Sequence, residues 1–383
     1  MKLSFVSLFL FSGIWSYSAY SIAPDFSPGV VQPLHSQGAL AQRNQEMTGL
    51  KPLDRKLASR YPRAKARSNW ENVSSFGEKI AQSQSGQSFT ELPMLLSTPT
   101  GKLYGTLLLP DTARRVAVPV ALIIAGSGPT DRDGNNPMMK NNSLKMLAEA
   151  LAKQGIASVR YDKRGVAASA EAGGKEEDLR FEQSADDAVA WSQLIRSDTR
   201  FNRLFIVGHS EGSLVGMLAA QKARPAGFVS LAGAGVSADK LIREQMKPQP
   251  KPVQDMVYPI LDSLKMGYTV KQVHPLLYSL FRPSVQPYLI SWFRHDPALE
   301  IRKLTMPVLI VQGTNDIQVG LSEGETLAKA QPKAKYVVID RMNHIFKETD
   351  GDRQANLATY GNPDQLIIPR LPEELGAFIR HTP

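Results

Sequence analysis

From Leu92 onward, short apolar runs alternate with segments patterned as amphipathic helices, and this rhythm narrows the possible folds more than any other feature of the chain. The runs are Val118 to Ala125, Ala157 to Tyr161, Leu204 to Val207, Gly227 to Leu231, Pro307 to Gln312 and Tyr336 to Ile339. They are nearly continuous in apolar residues, as strands buried on both faces must be. Between them lie helical spacings: Ser143 to Gln154 with Leu144, Leu147 and Leu151 on one face, Glu182 to Ile195, and Ser210 to Lys222. A closing helix is expected at about Pro372 to Arg380. Strand–helix alternation of this kind predicts an α/β fold, a mostly parallel sheet covered by helices on both faces. Ahead of it, Leu92 to Ser97 and Lys102 to Leu109 flank Thr98-Pro-Thr-Gly101 and predict an antiparallel hairpin.

Two regions stand outside the rhythm. Residues 237–303 contain eight prolines and no evident strand, and 67 residues exceed an ordinary connection, so they are read as an inserted helical cap. Residues 22–89 are read as an N-terminal arm, rich in Pro, Gln, Ser and Arg, with a short helix suggested by Trp70, Val73, Phe76 and Ile80. Residues 90–383 then form the main domain.

The first 21 residues read as an export signal. Lys2 precedes an apolar run from Leu3 to Trp15, too short to span a bilayer, and small residues follow. Cleavage after Ser21 places Ala19 at the third position back. The expected location is periplasmic or secreted, without stable membrane insertion after cleavage. Net charge is +9, and residues 1–89 hold ten Lys and Arg against five Asp and Glu. A basic stretch can bind nucleic acid or anionic lipid. No module with interleaved aromatics follows, so it is read as a solvated segment and no nucleic-acid partner is expected. Cysteine is absent, which excludes disulfides, thiolate metal sites and a cysteine nucleophile.

Chemistry enters with Gly208-His209-Ser210-Glu211-Gly212, which follows the apolar strand ending in Ile206-Val207 and opens a helix of small residues. A serine on such a sharp strand-to-helix turn projects its hydroxyl above the sheet, and the flanking glycines let strand and helix approach closely. Serine needs a base to take its proton and an acid to orient that base. Asp316 follows the strand beginning at Val308, and His344 follows the strand beginning at Tyr336. Of six histidines only His344 follows a late strand directly. Asp340 is the rival acid. Candidate oxyanion donors are the backbone N–H of Glu211, after the nucleophile, and that of Ser127, with Gly128 next, in the loop Ala125-Gly126-Ser127-Gly128-Pro129. Asp131, Arg132 and Asp133 are expected to lock that loop. Asp162 and Arg164 are expected to form a buried or loop-bridging ion pair.

The motifs Gly126-Ser-Gly-Pro-Thr-Asp-Arg-Asp-Gly-Asn135, Tyr161-Asp-Lys-Arg-Gly165, Gly208-His-Ser-Glu-Gly212, Gly313-Thr-Asn-Asp316 and Asn343-His344 resemble those of the α/β-hydrolase superfamily. More narrowly, they are similar to those of bacterial carboxylesterases of the serine-aminopeptidase-like branch. A departure is Val166-Ala-Ala-Ser169, where such proteins more commonly carry a Gly-x-Gly-like ending. The resemblance implies an eight-stranded sheet with a cap after the sixth strand, and no cofactor or metal. It implies hydrolysis of a small-molecule carboxylic ester. A serine peptidase or amidase with the same triad, and a non-catalytic binding protein on this fold, are the competing readings. Seven cap aromatics, Tyr258, Tyr268, Tyr278, Phe281, Tyr288, Trp292 and Phe293, are candidates for an apolar acyl pocket where they face Ser210.

Overall fold

The structure, a computed structural model, describes residues 88–383. The expected signal segment, and the arm with its short helix, lie outside the described residues, apart from Ser88 and Phe89. The first strands, β1 (Phe89–Thr98) and β2 (Gly101–Pro110), form an antiparallel hairpin whose register closes at Thr98 opposite Gly101. Then come β3 (Val118–Ile124), α1 (Ser143–Lys153), β4 (Ala157–Tyr161), α2 (Phe181–Arg196), β5 (Phe201–His209), α3 (Glu211–Ala223) and β6 (Gly227–Leu231). Residues 237–303 contain the helices α4 (Ala238–Met246), α5 (Lys251–Lys265), α6 (Tyr278–Phe281), α7 (Gln286–Trp292) and α8 (Pro297–Ile301). The chain closes with β7 (Val308–Gly313), α9 (Leu321–Ala330), β8 (Lys335–Ile339), α10 (Arg353–Ala358) and α11 (Arg370–His381).

The eight strands form one sheet in the order β1-β2-β4-β3-β5-β6-β7-β8. The β1/β2 and β2/β4 pairs are antiparallel and every other pair is parallel. Alternation along β3 shows how the sheet divides its core. Val120, Leu122 and Ile124 pack with α2, α3 and the 237–303 helices, while Ala121 and Ile123 pack with α1 and α11. Such two-sided burial follows from parallel strands whose crossovers place helices on both faces.

The 237–303 helices share a core with the sheet face they cover: Leu241, Val257, Leu261, Phe281 and Phe293 belong to the same apolar cluster as Leu122. Polar ties add to this. The buried carboxylate of Glu176, between β4 and α2, accepts Arg282 Nε at 2.7 Å and Ser284 Oγ at 2.5 Å. Ser291 Oγ accepts the N–H of Phe181 at 2.9 Å.

Two features depart from the sequence reading. Helix α9 has no apolar stripe to announce it, because its buried face is Glu323, Gly324 and Leu327. The Glu323 carboxylate earns that position by accepting the N–H groups of Gly235 and Val236, at 2.8 and 3.1 Å. The second is the Val166-Ala-Ala-Ser169 turn, where Ala167 takes φ +43°, a left-handed backbone that glycine adopts more easily.

Candidate active site

The turn at Ser210 is built by close packing of strand on helix. A Cβ at Gly208 would overlap the Gly212 carbonyl, and one at Gly212 would overlap Ile124, so neither position admits a side chain. Ser210 itself carries φ +55°, ψ −121°, a conformation that costs on the order of 1–3 kcal/mol and persists only where its surroundings enforce it. Here the Ser210 N–H bonds Leu231 of β6 at 2.9 Å and its carbonyl accepts the Ser213 N–H at 3.0 Å. Although Ser210 occupies the N-cap of α3, its hydroxyl does not cap the helix. The N–H of Glu211, the first residue of α3, has no intrahelical carbonyl to bond.

Asp316 and His344 meet above the ends of β7 and β8. Asp316 Oδ2 lies 2.7 Å from His344 Nδ1, with both side chains buried. A carboxylate only accepts, so Nδ1 carries a proton, and in the neutral imidazole the lone pair is therefore on Nε2. Asp316 Oδ1 accepts the N–H groups of Gln318 and Val319 at 2.8 and 2.9 Å, and Oδ2 also accepts Gln312 Nε2 at 3.1 Å. Asp340 sits elsewhere: it is exposed and takes the Thr314 hydroxyl at 3.1 Å. Ser210 and His344 line one cavity together with Gly126 and Ser127.

The His344 loop is pinned from two sides. The Asn343 side chain, fully buried, accepts the N–H groups of Ile345 and Lys347 and donates to Thr359 Oγ1 at 2.8 Å. His209 Nε2 donates to the His344 carbonyl at 2.9 Å, and the two rings lie 4.8 Å apart. Burial, with the His344 ring beside it, holds the His209 imidazole well below its ordinary pKa of 6.5. The sign of its effect on stability follows. Below pH 6.5 the unfolded chain binds a proton at His209 that the native state refuses, so the stability this gives above 6.5 is lost as pH falls, by up to about 1.4 kcal/mol per pH unit. Thermal unfolding from pH 7 to pH 5 is therefore expected to fall more steeply for the wild type than for His209→Gln. Parallel curves would contradict a neutral, buried His209.

The loop after β3 is locked by its charged residues. Asp131 Oδ1 accepts the N–H groups of Asp133 and Asn135 at 2.9 and 2.8 Å. Arg132 pairs with Asp162 at 2.6 Å, and Arg160 with Asp133 at 2.5 Å. Asp162 thus bridges to the loop after β3, but Arg164 pairs with Asp187 of α2 at 2.5 Å, not with Asp162. The two side chains serve different joints, a correction to the expected pair. Ser127 is buried, and a Cβ at Gly126 would lie 3.1 Å from the Ser210 Cβ, which brings the loop against the serine.

The chamber at Ser210 is lined by Ser127, Glu211, Leu214, Leu241 and Trp292, and shares Leu241, Gln245 and Gln318 with a larger cavity of 580 Å³ beside α4. Of the seven cap aromatics, only Trp292 lines that chamber, and Tyr288 lines the neighbouring pocket with Ser127 and Glu211. Phe281 and Phe293 are buried in the cap core, Tyr258 lies under Arg243 at 4.6 Å, and Tyr268 and Tyr278 are exposed. Among the described residues, Glu211 is the one carboxylate lining the Ser210 chamber. Its Oε1 accepts the Tyr288 hydroxyl at 3.1 Å and lies 4.0 Å from Lys163 Nζ. Burial raises the Glu211 pKa and lowers that of Lys163. Motif reading gives no role at the site to His209, Lys163 or Gln312: His209 and Lys163 act through His344 and Gly126, remote in the chain, and Gln312 reads as one more residue of a buried strand until its amide meets Asp316. Among the described residues, no group of three or more His, Asp or Glu is arranged to hold a metal ion, and no helix is long and apolar enough to cross a membrane.

Comparison with known proteins agrees with this architecture. Residues 140–299 match the family described as serine aminopeptidase, S33. The chain is 24% identical over 268 residues to esterase EstD of Thermotoga maritima, covering 66% of this chain and 61% of that protein, so it spans less than two thirds of that relative. Est1E from Butyrivibrio proteoclasticus, solved with ferulic acid, superposes with a TM-score of 0.52 at 18% identity, over 76% of this chain and 98% of Est1E. The acylaminoacyl peptidase of Pyrococcus horikoshii superposes at 0.50 with 12% identity, over 78% of this chain and 42% of the peptidase. At these identities the superpositions speak to the fold.

Proposed function

We propose that this chain, a member of the α/β-hydrolase superfamily, cleaves carboxylic esters through an acyl-enzyme on Ser210. The observation that carries the reading is the buried 2.7 Å contact between Asp316 and His344, in a site where Ser210 and His344 line one cavity. His344 Nε2 takes the Ser210 proton as Oγ attacks the ester carbonyl. Backbone N–H groups of Ser127 and Glu211 receive the oxygen that becomes negative. The intermediate collapses, the C–O bond to the alcohol breaks, and His344 returns the proton to the departing oxygen. Water then repeats the sequence on the acyl-enzyme and releases the acid. Because His344 protonates the leaving group, the alcohol departs past His344, and the acyl group occupies the chamber of Leu214, Leu241 and Trp292.

A peptidase would use the same triad. Two points favour esters. An amine leaving group requires protonation more stringently than an alkoxide. The single carboxylate lining the Ser210 chamber, Glu211, is already engaged by Lys163 and Tyr288 and is not open to a substrate ammonium. Esterase EstD, similar over two thirds of this chain, supports the same choice.

The test compares p-nitrophenyl esters with aminoacyl-p-nitroanilides on one preparation. From acetate toward hexanoate, kcat/KM should rise several-fold per carbon, since a buried methylene contributes about 0.8 kcal/mol, and should fall for long chains once the chamber is full. A higher kcat/KM on any anilide would move the protein to the peptidase reading.

We also propose export, on the basis of Lys2, the apolar run Leu3 to Trp15 and the small residues ending at Ser21. The mature chain is expected to begin at about residue 22 by intact mass. Native protein that retains Met1 or Lys2 in a membrane fraction would contradict this.

A further inference from the structure

Lys163 is a largely enclosed cation within the motif Tyr161-Asp-Lys-Arg-Gly165, and the triad chemistry leaves it without a task. Its side chain is 11% exposed, and its Nζ donates a hydrogen bond to the carbonyl of Gly126. That carbonyl belongs to the same peptide unit as the N–H of Ser127. A trans peptide is planar, with its C=O and N–H pointing in opposite directions. A donor that holds the Gly126 oxygen therefore sets the direction in which the Ser127 N–H points. A cation on the carbonyl also polarises the amide and makes its N–H a stronger donor. The same Nζ lies 4.0 Å from Glu211 Oε1, and Glu211 supplies the other backbone donor at the start of α3. The Tyr288 hydroxyl holds that carboxylate from the cap side at 3.1 Å.

We propose that Lys163 is the positioning residue of the oxyanion hole, orienting and polarising the Gly126–Ser127 peptide while anchoring the Glu211 side chain beside the second donor. This rests on the assignment of Ser127 and Glu211 as the oxyanion donors. Lys163 lines the neighbouring pocket with Ser127 and Glu211 but neither of the two cavities that contain Ser210. It acts when negative charge develops on the substrate oxygen, so its loss affects the chemical step and leaves ground-state binding nearly unchanged.

The obvious variant, Lys163→Met, leaves Glu211 buried without its cation, a change that can disturb folding. The double variant Lys163→Met/Glu211→Gln removes that charge and still deprives the Gly126 carbonyl of its donor. Two readouts follow the hole directly: the rate at which a fluorophosphonate phosphonylates Ser210, and the inhibition constant of an arylboronic acid that forms a tetrahedral adduct there. Loss of an oxyanion donor costs about 100- to 1,000-fold. Misorienting one is expected to slow phosphonylation and weaken boronate binding by about 10- to 100-fold in the double variant, with KM for a short ester changed by less than about threefold. A double variant that reacts at the wild-type rate would overturn the proposal, since Lys163 would then only neutralise Glu211. A loss confined to KM would overturn it as well. The probes need no ester turnover, so a wild-type protein that is phosphonylated and cleaves no ester fails the ester reading alone.

Discussion

Ser210→Ala is expected to lower kcat for a short p-nitrophenyl ester by about 10⁵- to 10⁶-fold, the largest loss of any single substitution in the protein. The size follows from the division of labour. Without the hydroxyl no acyl-enzyme forms, and only the oxyanion donors and substrate binding remain to assist attack by water. Stability should change little. The hydroxyl does not cap α3, and alanine carries the same Cβ in the same φ +55° backbone that serine already occupies. The melting temperature should stay within a few degrees of wild type, as a change below about 1 kcal/mol implies. Retained turnover in a folded Ser210→Ala protein would show that another nucleophile is at work and would also revive the non-catalytic reading of this site.

The second large effect is expected at the acid. Asp316→Asn should reduce kcat by about 10⁴-fold with the fold intact. The carboxylate accepts from His344 Nδ1, Gln312 Nε2 and the N–H groups of Gln318 and Val319. An asparagine has one oxygen, and keeping the two backbone bonds turns its NH₂ toward His344. The imidazole then accepts at Nδ1 and carries its proton on Nε2, where it cannot take one from Ser210. Asp340→Asn is the control. That side chain is exposed and bonds Thr314, so its loss should change kcat/KM by less than about threefold. If Asp340→Asn proves the more damaging change, the acid has been misassigned.

Much of the architecture is legible in the sequence because parallel strands buried on both faces must be apolar along their length. Ala157–Tyr161 and Gly227–Leu231 have the bounds their apolar runs indicate. The serine turn is legible for a related reason, since only glycine at 208 and 212 lets β5 and α3 meet. What stays hidden depends on partners remote in the chain. Lys163 reads as one more charge in a basic motif until the fold brings it to Gly126, 37 residues away. Tyr288 reads as one of seven candidate pocket aromatics until its hydroxyl meets Glu211, 77 residues away. Arg164 is near enough to Asp162 in sequence to suggest a pair, yet in the turn after β4 it reaches Asp187 of α2, 23 residues on. Helix α9 conceals itself by burying a carboxylate where an apolar residue would have marked the period. The cap aromatics share a composition but not a direction, and composition carries no information about which of them faces the serine.

The central claim is that Ser210 is acylated during turnover, and one measurement addresses it directly. The protein is reacted with p-nitrophenyl acetate, quenched in acid during the steady state and digested with trypsin, and the peptide from Leu204 to Lys222 is sequenced by mass spectrometry. That peptide contains both Ser210 and Ser213. The account predicts a single acetyl group on Ser210, formed with a burst of p-nitrophenol that approaches one equivalent per chain and absent from Ser210→Ala. Acetyl on Ser213 or another residue, or an undiminished burst in the variant, would contradict it.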